Sequence, residues 1–248
     1  MKSILNISAY LFVPILDPLV LRNNLLESCS KFNLKGTVIL AEEGINLFLA
    51  GTSGEVALFL CELKSDIRFS PLQAKESWST YQPFKRMLVK VKKEIIRMNH
   101  PTIKPSLERA PSVDSLTVAR WLTQGKDDNG REVVTLDTRN FFEVDKGSFV
   151  GSIDWRLKKF SDFPNAFEQR KSELLNKTVV SFCTGGIRCE KAAVLMKQAG
   201  LSDVYQLEGG ILKYLEETGG QHYNGECFVF DERLSLTYDL SPISRISE

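Results

Sequence analysis

The chain has 248 residues, 43% of them hydrophobic and 25% charged, and a formal net charge of +1. That length fits two domains of ordinary size, and the composition is that of a globular protein able to bury a core without staples. Low-complexity character is excluded, and so is a membrane-spanning helix, because no run of about eighteen apolar residues occurs.

The opening Met1-Lys2-Ser3-Ile4-Leu5-Asn6 is interrupted by polar residues and leads to Asp17-Pro18 instead of a small-residue cleavage site. It reads as a first strand, not a signal peptide. Residues 4–13 predict a strand. Residues 17–32 predict a helix with Asp17 as N-cap and Pro18 at its first position. The strands GTVILAE and INLFLAG follow, joined by a turn at Glu43-Gly44. A helix over 53–66 opened by Ser53 and a strand over 87–93 complete a β-α-β-β-α-β order, the pattern of a ferredoxin-like or acylphosphatase-like α+β sandwich.

Residues 99–113 hold three prolines without periodicity and read as a linker. Beyond it, helices at 114–124, 165–173, 189–199 and 210–217 alternate with strands at 132–136, 178–182 and 204–207. That alternation predicts an α/β domain with a doubly wound parallel sheet. The expected boundaries are 1–98 and 114–220 for the two domains, with 221–248 a short acidic tail. Charge divides unevenly: residues 1–100 hold thirteen basic and nine acidic side chains, residues 101–220 seventeen of each, and residues 221–248 two and five. The positive excess therefore lies in the first domain, where it would favour nucleic acid.

Five cysteines at scattered spacings argue against a disulfide framework and fit a reducing cytoplasm. With no CxxC and only His100 and His222, no metal site is expected. The two histidines read as surface or linker residues, and Cys29 and Cys61 as core.

The most informative stretch is the strand VVSF running into Cys183-Thr184-Gly185-Gly186-Ile187-Arg188 and then a helix from Cys189. A cysteine between a strand end and a helix start meets free backbone N–H groups and the positive end of the helix dipole, which favour a thiolate. Gly185 and Gly186 let the loop curl into an anion nest, and Arg188 closes it. Four residues separate Cys183 from Arg188, one fewer than in cysteine phosphatases. The tighter cradle suits a single sulfur or oxygen substituent better than a phosphoryl group. Cys189 fits two roles, resolving an oxidised Cys183 or lining the loop. Asp137 and Arg139 follow the strand EVVTL at the carboxyl end of the sheet, where such folds build sites. Asp137 reads as a tie for the local backbone.

The loop CTGGIRCEKA (183–192) resembles that of the rhodanese-type tRNA uridine hydroxylases, which make 5-hydroxyuridine at the wobble position. GTVILAEEGINLFLAG (36–51), FKRMLVKVKKEIIRM (84–98) and the stretch from LDTRN (136–140) to GECFVFDER (225–233) resemble the same family in the same order. The resemblance implies an acylphosphatase-like domain before a rhodanese domain, a required cysteine at Cys183, and oxygen-dependent hydroxylation of tRNA. It implies no settled cofactor: molecular oxygen would be the co-substrate, the electron donor stays open, and no stable protein partner is implied. Many members carry a longer, cysteine-rich C-terminal segment, whereas Cys227 is the only late cysteine here. A persulfide-carrying sulfurtransferase would share every loop residue, and a non-catalytic RNA-binding module is the third reading.

For RNA, Met87, Val89 and Val91 alternate with Arg86, Lys90 and Lys92, and Lys85 and Lys93 flank the run. On a strand this gives a basic stripe suited to phosphates or an edge guarded by lysines. Trp155-Arg156-Leu157-Lys158-Lys159-Phe160 offers a second patch in which Arg156 and Lys158 would hold phosphates and Trp155 would stack a base or sit in the core. Glu43, Gly44 and Asn46 fit either an RNA-facing turn or a plain hairpin.

Overall fold

The structure, a computed structural model, describes residues 4–243; residues 244–248 of the expected tail lie outside the described part. The chain divides into two compact units.

The first unit contains β1 (Ile4–Phe12), α1 (Pro18–Lys31), β2 (Lys35–Ala41), β3 (Gly44–Gly51), α2 (Ser53–Ser65), β4 (Lys75–Ser79) and β5 (Met87–Val91). Its sheet runs β4-β1-β3-β2-β5, antiparallel except for the parallel β2–β5 pair. Alternation sets the inward face: Val38 and Leu40 of β2 and Leu47 and Leu49 of β3 are fully buried with Phe59 of α2 and Cys29 of α1.

Four local expectations change. Asp17 makes no side-chain cap to α1; its carboxylate takes Nη1 of Arg68 at 2.5 Å. Helix α2 is capped by Thr52, not Ser53, through a capping box with Glu55. Strand β4 was not expected, because Lys75-Glu76-Ser77-Trp78-Ser79 has one large apolar residue and no alternation; it is held by pairing with β1. The β2–β3 turn proves to be a structural device. Gly44 has φ +152°, and a Cβ there would lie 2.1 Å from the Leu11 carbonyl oxygen. Glu43 Oε1 accepts from Ile95 N at 2.7 Å and buried Asn46 donates to Ile95 O at 3.3 Å, so both pin the chain leaving β5. Cys61 is exposed, contrary to its expected place in the core; it lies on the outer side of α2.

The second unit contains β6 (Ser112–Val113), α3 (Ser115–Gln124), β7 (Val133–Asp137), α4 (Phe141–Val144), β8 (Gly147–Phe149), β9 (Ile153–Asp154), α5 (Phe163–Arg170), β10 (Thr178–Phe182), α6 (Ile187–Gln198), β11 (Val204–Leu207), α7 (Gly210–Thr218), β12 (Tyr223–Gly225), β13 (Cys227–Phe228) and β14 (Ser235–Leu236). A parallel sheet runs β6-β11-β10-β7-β9. The fully buried strand β10 lies at its centre, as an apolar run in a two-sided sheet should.

The linker and tail expectations are corrected. Residues 99–113 are built into this unit: β6 pairs with β11, Ile103 and Ala110 are buried, and the Pro111 carbonyl accepts from Gln206 N at 3.0 Å. Prolines are tolerated there because β6 is an edge strand. The N-terminal stretch of the first unit runs to Ile96. Residues 221–243 of the acidic tail are built into the fold. Tyr223, Cys227 and Leu236 are buried in the second unit, while Phe230–Leu234 folds with the first, where Arg233 bonds Ser77 at 2.8 Å. Among the described residues no helix is long and apolar enough to cross a membrane.

Candidate active site at the cysteine loop

Strand β10 delivers Cys183 to the carboxyl edge of the sheet. Thr138 fixes that edge by donating both its N–H and its hydroxyl to the Phe182 carbonyl, at 3.0 and 2.9 Å. The chain then turns through Gly186, whose φ of +99° is left-handed, directly into α6. The helix begins at Ile187, two residues earlier than expected, so Arg188 and Cys189 both lie in its first turn. Gly186 N–H donates to the Cys183 sulfur at 3.1 Å.

Cys183 is only 1% exposed. Burial by itself would raise its thiol, but four groups outweigh it: the Cys189 S–H, the Arg188 charge, and the backbone N–H groups of Arg188 and Gly186. The result is a thiol lowered to about 5. Cys189 moves the opposite way: burial first, then the neighbouring Cys183, push it well above the usual range. At neutral pH the pair is therefore a thiolate at Cys183 accepting from a thiol at Cys189, with Thr138 Oγ1 3.7 Å behind the second sulfur.

Arg188 does more than close the loop. Its guanidinium holds Glu143 of α4 in a bidentate pair at 2.5 and 2.8 Å, with the two side chains 6% and 0% exposed. Its Nε finds no acceptor among the described residues. Asp137 and Arg139 form a second sealed pair, Nη2 to Oδ2 at 2.7 Å. Asp137 Oδ1 also takes Arg139 N at 3.0 Å, and Arg139 reaches the Gly147 carbonyl at 2.6 Å. With both side chains fully buried, this pair anchors the end of β7 and meets no reagent. Of the remaining loop residues, Thr184, Gly186 and Ile187 are buried and only Gly185 is partly open.

A second helix completes the loop. The first N–H groups of α7 donate to the carbonyls of Cys183 and Thr184, Ile211 N at 3.0 Å and Leu212 N at 3.1 Å. Gly210, at φ +69°, allows this approach: a Cβ there would lie 2.6 Å from Cys183 O and 2.7 Å from Gly186 N. Gly210→Ala is expected to cost roughly 2–4 kcal/mol through the left-handed backbone and overpacking, and to displace the loop. Thermal unfolding together with the alkylation rate of Cys183 checks this; an unchanged rate in a stable variant would show that the loop does not need α7.

The RNA candidates separate into two groups. Lys85, Arg86, Lys90, Lys92 and Lys93 are all exposed along edge strand β5, while Val89 is buried and Met87 and Val91 pack on the core. Lys85 lies 3.5 Å from Glu232. The second patch changes character. Trp155 is 5% exposed among Phe163 and Phe167 and donates to Glu173 at 3.1 Å, so it cannot stack a base. Arg156 is held by Asp145 at 2.5 Å and Asp154 at 3.1 Å, and two carboxylates around one guanidinium disfavour a phosphate. Lys158 is exposed.

Sequence reasoning missed Glu143, Thr138 and Gly210. The spacing of Asn140 and Glu143, in which Asn140 N donates to Glu143 Oε1 at 3.0 Å, and the Gly209-Gly210 pair before an apolar helix were the available signals.

A parallel sheet with a thiolate cradled between β10 and α6, preceded by a separate α+β sandwich, defines a rhodanese-type protein with an added N-terminal domain. Family models agree: the UPF0176 acylphosphatase-like domain matches residues 4–95 and the rhodanese-like domain residues 118–217. Proteins named tRNA uridine(34) hydroxylase resemble the chain along nearly its whole length. That of Variovorax paradoxus (strain S110) is 60% identical over 97% of this chain and 92% of its own length. That of Delftia acidovorans (strain DSM 14801 / SPH-1) is 61% identical over the same shares. The Bordetella pertussis (strain Tohama I) protein is 57% identical over 98% and 99%. The chain belongs to the tRNA uridine(34) hydroxylase family.

Proposed function

We propose that this chain hydroxylates C5 of the wobble uridine of tRNA, with Cys183 as the reacting group. The observation that carries the reading is the Cys183 loop: a thiolate favoured by Gly186 N–H, Cys189 and Arg188, in a chain of this family.

A thiolate is what covalent activation of a pyrimidine requires. Addition of the Cys183 sulfur to C6 forms a C–S bond and moves the C5–C6 π pair onto C5 and the neighbouring carbonyl. The electron-rich C5 then takes one oxygen atom derived from molecular oxygen. The second oxygen atom leaves as water, using two electrons and two protons from an external donor. Loss of the C5 proton and departure of the sulfur from C6 restore the double bond and the thiolate. Arg188 and the N–H groups of the loop favour the thiolate at the start and at the end of the cycle.

Lys85, Arg86, Lys90, Lys92 and Lys93 along β5 supply phosphate contacts in this reading, and Lys158 adds one from the second unit. Free thiols at Cys183, Cys189 and Cys227 fit a reducing compartment, and we assign the protein to the cytoplasm with its tRNA.

Mass spectrometry of tRNA nucleosides tests the reading after the gene is deleted and restored as wild type or Cys183→Ser. 5-Hydroxyuridine or its derivatives should return with the wild type alone. Return with the Ser variant would remove Cys183 from the chemistry. No change with either chain would refute RNA hydroxylation and leave persulfide transfer from Cys183 as the activity to assay.

A further inference from the structure

The cysteine loop is sealed almost everywhere, yet two phenylalanines border it. Phe142 keeps 38% of its surface in solvent, and Phe228 is half-buried. Their ring centroids are 5.4 Å apart at 79°, so the rings form a corner. Burying a phenylalanine is worth roughly 1.5–3 kcal/mol, and Phe142 forgoes part of that next to the residue that holds Arg188.

Both rings sit on segments that are tied to the loop, at opposite ends. Phe142 precedes Glu143, whose carboxylate holds Arg188 at 2.5 and 2.8 Å. The Phe228 carbonyl accepts from Thr184 Oγ1 at 3.5 Å. The loop residues 184–188 thus run between the two ring-bearing segments. Phe141 packs edge-on against Phe142, with centroids 5.9 Å apart, while the Arg156 guanidinium lies 5.3 Å from the Phe141 ring centroid.

A phenyl ring offers no donor or acceptor for phosphate or ribose. It offers a face for another planar ring, and enzymes that act on a base take it out of its stack and hold it against aromatic side chains. We infer that Phe142 and Phe228 form the platform on which the target pyrimidine stacks when it is presented to Cys183. The inference rests on the reading that the substrate is an unpaired uridine of tRNA, and it names the residues that would hold that base.

The test uses the full chain and two anticodon stem–loop RNAs, one with uridine and one with an abasic residue at the wobble position. Binding is measured for the wild type, Phe142→Ala, Phe228→Ala and Phe142→Tyr. The wild type should prefer uridine by on the order of tenfold, as expected for one stacked base. Each Ala variant should lose most of that preference while binding the abasic RNA as the wild type does, and the Tyr variant should keep it. A role in structure alone would weaken both RNAs together. Ala variants that keep the wild-type ratio, a wild type with no preference, or equal weakening on both RNAs would each overturn the platform. Nucleoside analysis of the wild-type reaction separates the two ideas. Product without a uridine preference refutes only the platform, whereas no product refutes the hydroxylase reading and the platform with it.

Discussion

Replacing Glu143 by Gln is expected to destabilise the protein by about 3–5 kcal/mol, measured by urea unfolding with tryptophan fluorescence. The size follows from burial. Glu143 and Arg188 are 0% and 6% exposed and share two short hydrogen bonds. Removing the carboxylate leaves a guanidinium charge in a medium that cannot solvate it. An exposed pair such as Arg156–Asp145, with both partners about half exposed, would give at most about 1 kcal/mol. A loss that small for Glu143→Gln would show that water reaches Arg188 and that the site is more open than its burial implies. Replacing both partners with apolar residues of similar size, Glu143→Leu with Arg188→Met, should recover much of the loss, because the cost lies in the unpaired charge. The thiolate has the opposite sensitivity. Without Glu143 the Cys183 thiolate is the negative charge left beside Arg188, so the thiolate of the single variant is favoured at least as strongly as in the wild type. Reduced stability with alkylation undiminished at acidic pH is the expected signature.

That pairing also shows where sequence reading stops. The cysteine loop was legible because its parts are local: a strand end, two glycines, an arginine and a helix start within ten residues, each with a physical reason for its neighbour. The alternation in 87–91 was legible for the same reason. Glu143 was not, because its partner is 45 residues away, and an acidic residue in a short helix looks like any surface residue. Phe228 meets Thr184 across 44 residues from a stretch that reads as tail. Residues 99–113 and strand β4 were missed for the complementary reason: their order comes from pairing with strands already placed, not from a pattern of their own. Arg156 was misread in the other direction, and of the two readings open for Trp155 the core one holds. An aromatic beside basic residues suggests nucleic acid, but the aromatic is buried against Phe163 and Phe167 and the arginine is occupied by Asp145 and Asp154. Composition gives side-chain chemistry, and only the fold shows which side chains already have partners.

The cysteine pair joins this local geometry to reactivity. Cys189→Ala is expected to slow alkylation of Cys183 at pH 5 by roughly fivefold or more while leaving the rate at pH 8 close to the wild type. The Cys183 thiolate, lowered to about 5, accepts from the Cys189 S–H as the largest of the groups that offset burial. A hydrogen bond to a charged group is worth about 1.5–3 kcal/mol, and about 1.4 kcal/mol is one pKa unit, so its loss shifts the thiol–thiolate balance at least tenfold. The sign fixes the window. With the donor, Cys183 is largely ionised above pH 5; without it, the thiol persists upward toward neutral pH, and at pH 8 both proteins are thiolates. Cys189→Ser separates the hydrogen bond from the sulfur, since a hydroxyl donates as well and should keep the wild-type profile, with Thr138 still behind it. Alkylation by iodoacetamide over a pH range of about 4.5–8.5, which spans both ionisation states, makes the measurement. Identical profiles for wild type and Cys189→Ala would mean that Arg188 and the backbone N–H groups of α6 hold the thiolate unaided. A profile shifted in the Ser variant as far as in the Ala variant would mean that position 189 acts through packing. If the profile moves only with Ala, the helix that begins at Ile187 contributes its dipole, its arginine and its third side chain to one atom, the sulfur of Cys183.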